Sequence, residues 1–329
     1  MINNSQKLVS DVHDERTIER VPTRDGFGKG LVEAGEKDDR IVVLCADLTE
    51  STRTHWFAEK FPERYVEIGV AEQNMATVAS GLANYGKIPF IASYAAFSPG
   101  RNNEQIRTTA SLSNLPVKIV GAHAGVSVGP DGATHQALED IALMRVQPNM
   151  TVVVPADAEE AKKATLAIAE LEGPAYIRLA REKTPVLTTK DSPFTIGSAN
   201  LLREGDDVVI IACGILVHNA LLAAKQLEEE GLSVAVLNNH TIKPMDVDSV
   251  VGVAKKTGAV VTLEEHQVMG GMGSAVCEIL VKNSPVPVEM LGVQDSFGES
   301  GDSNELVEKF GMGIDSIKDA VSKVLKRKK

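Results

Sequence analysis

Short apolar runs alternate along the chain with longer segments of helical period. In the first half, runs of strand length rich in Val and Ile lie at 41–45, 88–92, 117–121, 151–154 and 175–179. Such runs are typical of strands buried in a parallel sheet. Apolar spacing predicts helices over 72–85 and 157–171. Asp157, with Glu160 three residues later, predicts a helix N-cap with a capping-box partner.

The same alternation starts again in the second half. It predicts strands at 207–213, 233–237 and 260–263, and helices at 216–230, 272–282 and 315–327. Between them, 183–193 has the proline and turn residues of a connection. The pattern predicts an α/β fold of two doubly wound domains with mostly parallel sheets. We assign an N-terminal arm (1–19), a first domain (20–185), a linker (186–195) and a second domain (196–329).

Composition narrows the class of protein. The hydrophobic fraction of 43% and the charged fraction of 24% are those of a globular chain, which excludes a disordered one. The net charge of −11 argues against a general nucleic-acid binder. Cys45, Cys213 and Cys277 lie far apart in apolar runs, which predicts buried thiols and no metal site. No signal-type N-terminus and no long apolar run is present, so we expect a cytoplasmic protein.

Chemically active residues follow several predicted strands. Asp47 and Leu48 come after the strand at 41–45, and His123 comes after the strand at 117–121. The pair Tyr94 and Phe97 follows another strand end. Each residue alone has an ordinary explanation as a core, capping or surface residue. Ligands in parallel sheets bind beyond the carboxyl ends of the strands, so their joint occurrence there favours a functional site.

These segments together resemble a known enzyme family. They are 46–51 (ADLTES), 69–72 (GVAE), the region of Tyr94 and Phe97, 129–136 (GPDGATHQ) with two histidines twelve residues apart, and Arg181. From residue 20 to 329 the chain resembles the C-terminal half of transketolase, the thiamine-diphosphate enzyme. The resemblance covers the pyrimidine-binding and C-terminal domains. The Gly-Asp-Gly…Asn motif of the diphosphate-binding domain is missing from the sequence, so the chain resembles one subunit of a split transketolase.

The resemblance implies a pocket for the pyrimidine end of thiamine diphosphate. The glutamate that matches Glu72 hydrogen-bonds the aminopyrimidine and is a catalytic residue in this family. The residues that match Tyr94 and Phe97 stack on the pyrimidine, and Phe90 is expected as a third wall. Asp47 and Leu48 are expected near the thiazolium ring.

The resemblance also implies a sugar-phosphate site. The histidines that match His123 and His135 contact the donor sugar and are catalytic proton carriers. The residue matching Asp131 binds a sugar hydroxyl. A phosphate clamp is expected from a set that the resemblance assigns to substrate binding: Arg24, Ser51, His123 and Arg181.

We therefore expect a transferase that moves a two-carbon ketol unit from a ketose phosphate to an aldose phosphate. A companion N-terminal subunit would bind the cofactor diphosphate through Mg²⁺, in an α2β2 assembly. Three alternatives stay open: the β subunit of a 2-oxo-acid dehydrogenase, half of a deoxyxylulose-phosphate-synthase-like enzyme, and a non-catalytic paralogue. Many transketolases have Arg-Glu-His where this chain has Ala71-Glu72-Gln73, which leaves details of cofactor contact open.

Overall fold

The structure, a computed structural model, describes residues 1–328. Its strands are β1 (Arg20–Pro22), β2 (Ile41–Cys45), β3 (Tyr65–Glu67), β4 (Ile88–Tyr94), β5 (Lys118–Ala122), β6 (Thr151–Val153), β7 (Ala175–Arg178), β8 (Lys183–Pro185), β9 (Asn200–Arg203), β10 (Val208–Ala212), β11 (Val234–Asn238), β12 (Thr241–Lys243), β13 (Val260–Gln267) and β14 (Val288–Val293). Its α-helices are α1 (Thr23–Lys37), α2 (Thr49–Thr52), α3 (His55–Lys60), α4 (Glu72–Asn84), α5 (Asn103–Gln105), α6 (Asp140–Arg145), α7 (Ala158–Ala169), α8 (Val217–Glu229), α9 (Val247–Thr257), α10 (Met272–Asn283), α11 (Ser303–Lys309) and α12 (Ile314–Arg327).

The first sheet has seven strands in the order β12-β6-β7-β5-β4-β2-β3, and all except β12 run parallel. Helices α1 and α7 cover one face, where Phe27 and Leu31 pack with Ala161 in a buried cluster. Helix α4 covers the other face through Met75 and Ala79. Helices on both faces make this a doubly wound sheet, so the predicted fold class is confirmed here.

The second sheet has five strands in the order β14-β13-β10-β11-β9, with only β9 antiparallel. One face packs on α8 and α12 through residues such as Leu221 and Val321. The opposite face, with Val209 and Ile211, joins the cluster that also contains Met75. The two sheets therefore share this hydrophobic cluster, while the outer face of each sheet has a cluster of its own.

Two connections tie the predicted domains together. Strand β12 lies in the sequence of the predicted second domain, yet it pairs with β6 of the first sheet. In the predicted arm, Val12 and Ile18 are buried in the core of the second sheet. The division at 186–195 stays a prediction, and these contacts show that the segments it separates are packed tightly.

The residue Asp157 is the N-cap of α7, as predicted. Its Oδ1 accepts the backbone N–H of Glu160 at 2.8 Å, and its Oδ2 accepts those of Leu187 and Thr188 at 2.7 and 2.6 Å. The predicted linker is thus anchored at its start. The capping-box partner was wrong in detail, because the Glu160 carboxylate accepts from the backbone N–H of Ala156 rather than from that of Asp157.

Several elements have no counterpart among the predictions: α1, α9, β9, β12 and β14. Helix α1 was not predicted for a physical reason: its glycines weaken the apolar periodicity that indicates a helix. A Cβ at Gly26 would collide with the backbone of Ala158 at the start of α7, so glycine lets these two helices approach closely. Among residues 1–328, no helix is long and apolar enough to cross a membrane.

Candidate active site

The predicted site residues that follow strands meet at the carboxyl edge of the first sheet. Residues Tyr94 and Ala122 are register partners in β4 and β5, and Gly121 is the partner of Arg178 in β7. His123, the residue after β5, is therefore placed beside the end of β4. The parallel arrangement brings residues distant in sequence to one edge.

Aromatic and imidazole rings form the centre of this edge. The His123 ring stacks on Tyr94 with centroids 4.0 Å apart, and Tyr94 faces Phe97 at 6.0 Å. His135 meets the Phe97 ring edge-on at 5.3 Å. These distances lie in the range of favourable offset and edge contacts between rings. Four predicted site residues are thus in one cluster.

Arginine side chains give this cluster a positive electrostatic environment. Arg24, near the start of α1, donates to the Ser51 backbone oxygen at 2.9 Å and lies 3.2 Å from His123 Nε2. Burial, and then the charges of Arg24 and Arg181, lower the pKa of His123 to about 3. Burial and the neighbouring Arg53 also lower the pKa of Arg24. His123 is therefore neutral at physiological pH.

The neutral His123 has a defined hydrogen-bonding role. Because Nε2 faces the Arg24 guanidinium, which only donates, we assign the proton to Nδ1. His123 Nδ1 and Arg24 Nε are both buried and have no hydrogen-bond partner in the described chain. Buried donors without partners are costly, so these two groups are ready to bind oxygen atoms of a ligand.

Glu72 begins helix α4 and is 1% exposed. Its Oε2 accepts from the Arg101 guanidinium at 2.6 Å, and its backbone oxygen accepts from Asn102 Nδ2 at 3.1 Å. Arg101 also lies over the Phe97 ring, 4.6 Å from its centroid. This carboxylate is therefore buried next to the aromatic cluster, and within residues 1–328 its Oε1 forms no hydrogen bond.

Asp47 and Leu48 lie in the turn between β2 and α2. Asp47 is exposed and has a φ of +57°, while Leu48 is half-buried. Glu67, at the end of β3, accepts the backbone N–H groups of Asp47 and Gly69, both at 2.8 Å. Although burial opposes the effect, these hydrogen bonds lower the pKa of Glu67. Glu67 therefore holds the two turns next to β2 and β3 together.

Three further predicted site residues take no part in the ring pairs of the cluster. Phe90 was wrong as a pocket wall: it is fully buried with Phe27 and Leu31, because it lies four residues before the end of β4. Asp131 is exposed. Arg181 donates to the Val128 backbone oxygen at 2.9 Å and to Glu182 at 3.0 Å.

Arg101, Asn102 and Glu67 are site residues that sequence reasoning missed. Arg101 had a local signal, since it follows Phe97 by one helical turn. Its N–H donates to the Phe97 oxygen at 3.0 Å, which sets the guanidinium over that ring. Asn102 and Glu67 act through contacts with Glu72 and Asp47, which are distant in sequence, so no local pattern marks them.

Comparisons with known proteins decide the family. Residues 19–186 match the model of the transketolase pyrimidine binding domain, and residues 197–317 match that of the transketolase C-terminal domain. The chain belongs to the transketolase family. In this family the cofactor is thiamine diphosphate with a divalent metal. Among residues 1–328, no three His, Cys, Asp or Glu side chains are grouped to hold a metal ion.

Two relatives are themselves named as parts of transketolases. A 6-deoxy-6-sulfo-D-fructose transketolase subunit of a Clostridium species is 45% identical over 93% of this chain and 95% of its own. A putative transketolase C-terminal section of Methanocaldococcus jannaschii is 42% identical over 92% and 96%. A solved split-gene transketolase, described as an inactive β4 tetramer, superposes with a TM-score of 0.88 at 48% identity. That match covers 94% of this chain and all of the solved one. In sequence and fold, this chain is thus similar to separate subunits of split transketolases.

The cluster fits the pyrimidine end of thiamine diphosphate. A planar, polar ring requires flat apolar neighbours and a carboxyl group that can share a proton with a ring nitrogen. Tyr94 and Phe97 supply the aromatic faces, and Oε1 of the buried Glu72 is free for such a contact.

Proposed function

We propose that this chain is the pyrimidine-binding subunit of a thiamine-diphosphate-dependent transketolase that transfers a two-carbon ketol unit from a ketose phosphate to an aldose phosphate. The observation that carries the proposal is the buried Glu72 carboxylate beside the rings of Tyr94, Phe97, His123 and His135. When bound, the cofactor supplies the electron sink that this carbon chemistry requires.

Glu72 holds and shares a proton with the pyrimidine in this proposal. Its Oε1 is free to meet a ring nitrogen, while Arg101 occupies Oε2. Tyr94 and Phe97 exclude water from the ring faces. Leu48 and Asp47 line the turn that faces the reacting end of the cofactor.

The histidines and arginines bind the sugar phosphate. His123 is neutral and donates through Nδ1 to a sugar oxygen. His135 carries a proton to or from the sugar oxygens. Arg24 and Arg181 attract the terminal anion, since a planar guanidinium binds phosphate oxygens in pairs. The side chains of Ser51 and Asp131 add contacts to the substrate.

The donor sugar carries a terminal anion in this proposal, and phosphate is our first choice. The Clostridium relative is named for a sulfonated sugar, 6-deoxy-6-sulfo-D-fructose. Arg24 and Arg181 suit either anion, so a sulfonated ketose is the second candidate donor. Direct comparison of the two donors distinguishes them.

Activity depends on a companion subunit that binds the cofactor diphosphate through Mg²⁺, a hard cation suited to oxygen ligands. The similar split-gene chain is described as inactive when it forms a β4 tetramer. We expect the same of this chain alone, and activity in an α2β2 assembly with its companion. Two-fold symmetry is the common state of such assemblies.

The experiment is mild purification of the chain from its own cells, followed by assay with thiamine diphosphate and Mg²⁺. Ketol transfer from fructose 6-phosphate, in the presence of a companion with a Gly-Asp-Gly…Asn motif, supports the proposal. Decarboxylation of an oxo-acid with a lipoyl protein supports the dehydrogenase subunit. Condensation of pyruvate with glyceraldehyde phosphate supports the synthase half. A companion-bound chain without cofactor-dependent activity supports the non-catalytic paralogue.

A single substitution tests the role of Glu72 in the active assembly. Glu72→Gln keeps the shape but removes the carboxylate, so we expect turnover to fall by about 10²–10⁴-fold while assembly is unchanged. Glu59→Gln removes an exposed charge on α3 and is the matched control. Turnover of Glu72→Gln equal to that of the control contradicts the assignment.

A further inference from the structure

The segment 123–136, which we call the histidine loop, carries His123 at its start and His135 near its end. Its backbone has positive φ at His123, Gly125, Gly129 and Gly132. Inside it lies a 3₁₀ segment over Val126–Asp131 that is kinked at Gly129, and one isolated bridge joins Ala124 to Ala137. The loop therefore depends on other parts of the chain to keep its two histidines in place.

The second sheet and the segment after β14 supply those contacts. Glu265 in β13 accepts the Ser127 backbone N–H at 2.6 Å, and Ser303 Oγ donates to the Ser127 backbone oxygen at 2.7 Å. Both backbone groups of Ser127, in the middle of the histidine loop, are thus bound by residues more than 130 positions away in sequence.

A second anchor lies beside His135. The Gln136 side chain is 4% exposed, and its Nε2 donates to the Val126 oxygen at 3.0 Å and to the Glu299 oxygen at 2.9 Å. One amide therefore joins the two ends of the loop to the segment after β14. Because His135 directly precedes Gln136, this anchor limits the position of the imidazole.

The histidine loop approaches Glu265 and Ser303 so closely that glycine is required at the contact positions. A Cβ at Gly125, which has φ +92°, would collide with the Glu265 carboxyl. A Cβ at Gly129 would lie 2.8 Å from Ser303 Oγ. The loop glycines therefore have a packing role, since only they allow the contacts with the second sheet.

Glu265 is itself held in a defined place. Its backbone oxygen accepts from Arg178 at 2.7 Å, and Arg178 donates to Asp140 at 2.8 Å. Arg178 ends β7, three residues before Arg181 of the expected phosphate clamp. Glu265 therefore contacts two parts of the site: its carboxylate binds the histidine loop, and its backbone oxygen binds the end of β7.

We propose that Glu265 and Ser303 are positioning residues that hold the histidine loop, so that the second domain sets the geometry of His123 and His135 toward the donor sugar. The catalytic consequence rests on the proposed function. The anchoring itself does not, because it concerns the chain's own contacts. The pyrimidine contacts of Glu72 and Phe97 lie on other elements, so cofactor affinity is expected to be independent of these anchors.

The first experiment measures anchoring in the full-length chain by amide hydrogen exchange. Ser303→Ala removes one hydrogen bond to Ser127, which corresponds to about fivefold faster exchange of amides in 125–136. Ser274→Ala is the matched control, since Ser274 Oγ donates at 2.8 Å to the Val268 oxygen away from the loop. Faster exchange in Ser303→Ala alone supports anchoring, and unchanged exchange in the loop overturns it.

The second experiment measures positioning in the companion-bound enzyme. We expect Ser303→Ala to raise KM for the donor ketose or lower kcat by about fivefold, with half-saturating thiamine diphosphate unchanged. Ser303→Thr keeps the hydroxyl and restores activity. Glu265→Gln keeps an acceptor but loses its charge, so its effect lies in the same direction. If the loop amides exchange faster in Ser303→Ala but kcat and KM for the donor are unchanged, the positioning proposal is overturned.

The two proposals fail in distinguishable ways. If the wild-type assembly has no ketol-transfer activity, the proposed function is overturned, and the exchange experiment still decides whether the second domain holds the loop. If wild-type activity is present and all Ser303 and Glu265 variants match Ser274→Ala in both readouts, only the positioning proposal is overturned.

Discussion

The buried Glu160 carboxylate makes the stability of the chain depend on pH in a way that one substitution removes. Glu160 is fully buried on α7, where its carboxylate accepts from Ala156 N–H at 2.6 Å and from Asn238 Nδ2 at 2.8 Å. Burial, and then the nearby Asp157 charge, raise its pKa to about 8. The folded chain therefore holds a proton that the unfolded chain releases near its usual pKa of about 4.3.

The sign follows from proton counting. Between the unfolded pKa and pH 8, the folded state binds more protons than the unfolded state, so the free energy of unfolding falls as pH rises. From pH 6 to pH 9 the two pKa values correspond to a loss of roughly 2–3 kcal/mol from this group. Groups with the opposite sign, such as His123, also titrate, so the comparison must be between variants rather than within one curve.

The perturbation is Glu160→Gln, which mimics the protonated carboxyl. The Asn238 Oδ1 has no partner, so turning that amide over provides an acceptor for the new NH₂ group. Unfolding midpoints are measured at pH 6, 7, 8 and 9 for wild type and variant. We expect the wild type to lose stability relative to Glu160→Gln as pH rises, by about 3–4 °C in Tm over this range.

The control is Glu159→Gln, which removes the same charge from the first turn of the same helix at a more exposed position. Its curve is expected to run parallel to that of the wild type. If the Glu160→Gln curve also runs parallel to the wild type between pH 6 and 9, Glu160 is ionised in the folded chain, and the reasoning is refuted.

Three further outcomes are expected. Phe90→Ala should lower the free energy of unfolding by about 3–5 kcal/mol in urea denaturation, because it opens a cavity in the core, whereas Tyr85→Ala at a 90% exposed position should not. Asp157→Asn should lower the free energy of unfolding in the same denaturation assay by about 2–4 kcal/mol, because one amide cannot accept all the N–H groups that the carboxylate binds. An unchanged free energy of unfolding would contradict this. Arg181→Ala in the active assembly should raise KM for a phosphorylated ketose far more than for its unphosphorylated analogue, and equal effects would remove the phosphate-clamp role.

Much of the fold was readable from local pattern. Strands such as β2 and β10 are continuous apolar runs, because both faces of each sheet are covered, and helices α4 and α7 have regular apolar stripes. The apolar pattern did not predict those elements whose place depends on close packing or on distant pairing rather than on apolar side chains. In α1 glycines make the contact with α7, and in β12 three residues complete a distant sheet.

The cluster of Tyr94, Phe97, His123 and His135 was predicted because each residue lies close to a strand end or in the loop that follows one. Parallel strands bring their carboxyl ends to one edge, so sequence order and strand length determine that these residues meet. The same rule explains the error at Phe90, whose distance from the end of β4 places it in the core.

The sequence by itself therefore determined the fold class, the family resemblance and most of the ring cluster, because these depend on local pattern and on motif residues close to strand ends. Only the tertiary structure decided the contacts of Glu72 with Arg101, of Asp157 with Leu187, and of Ser127 with Glu265 and Ser303. Each of these joins groups separated by tens to hundreds of positions, and a hydrogen bond depends on atomic distance rather than on sequence spacing.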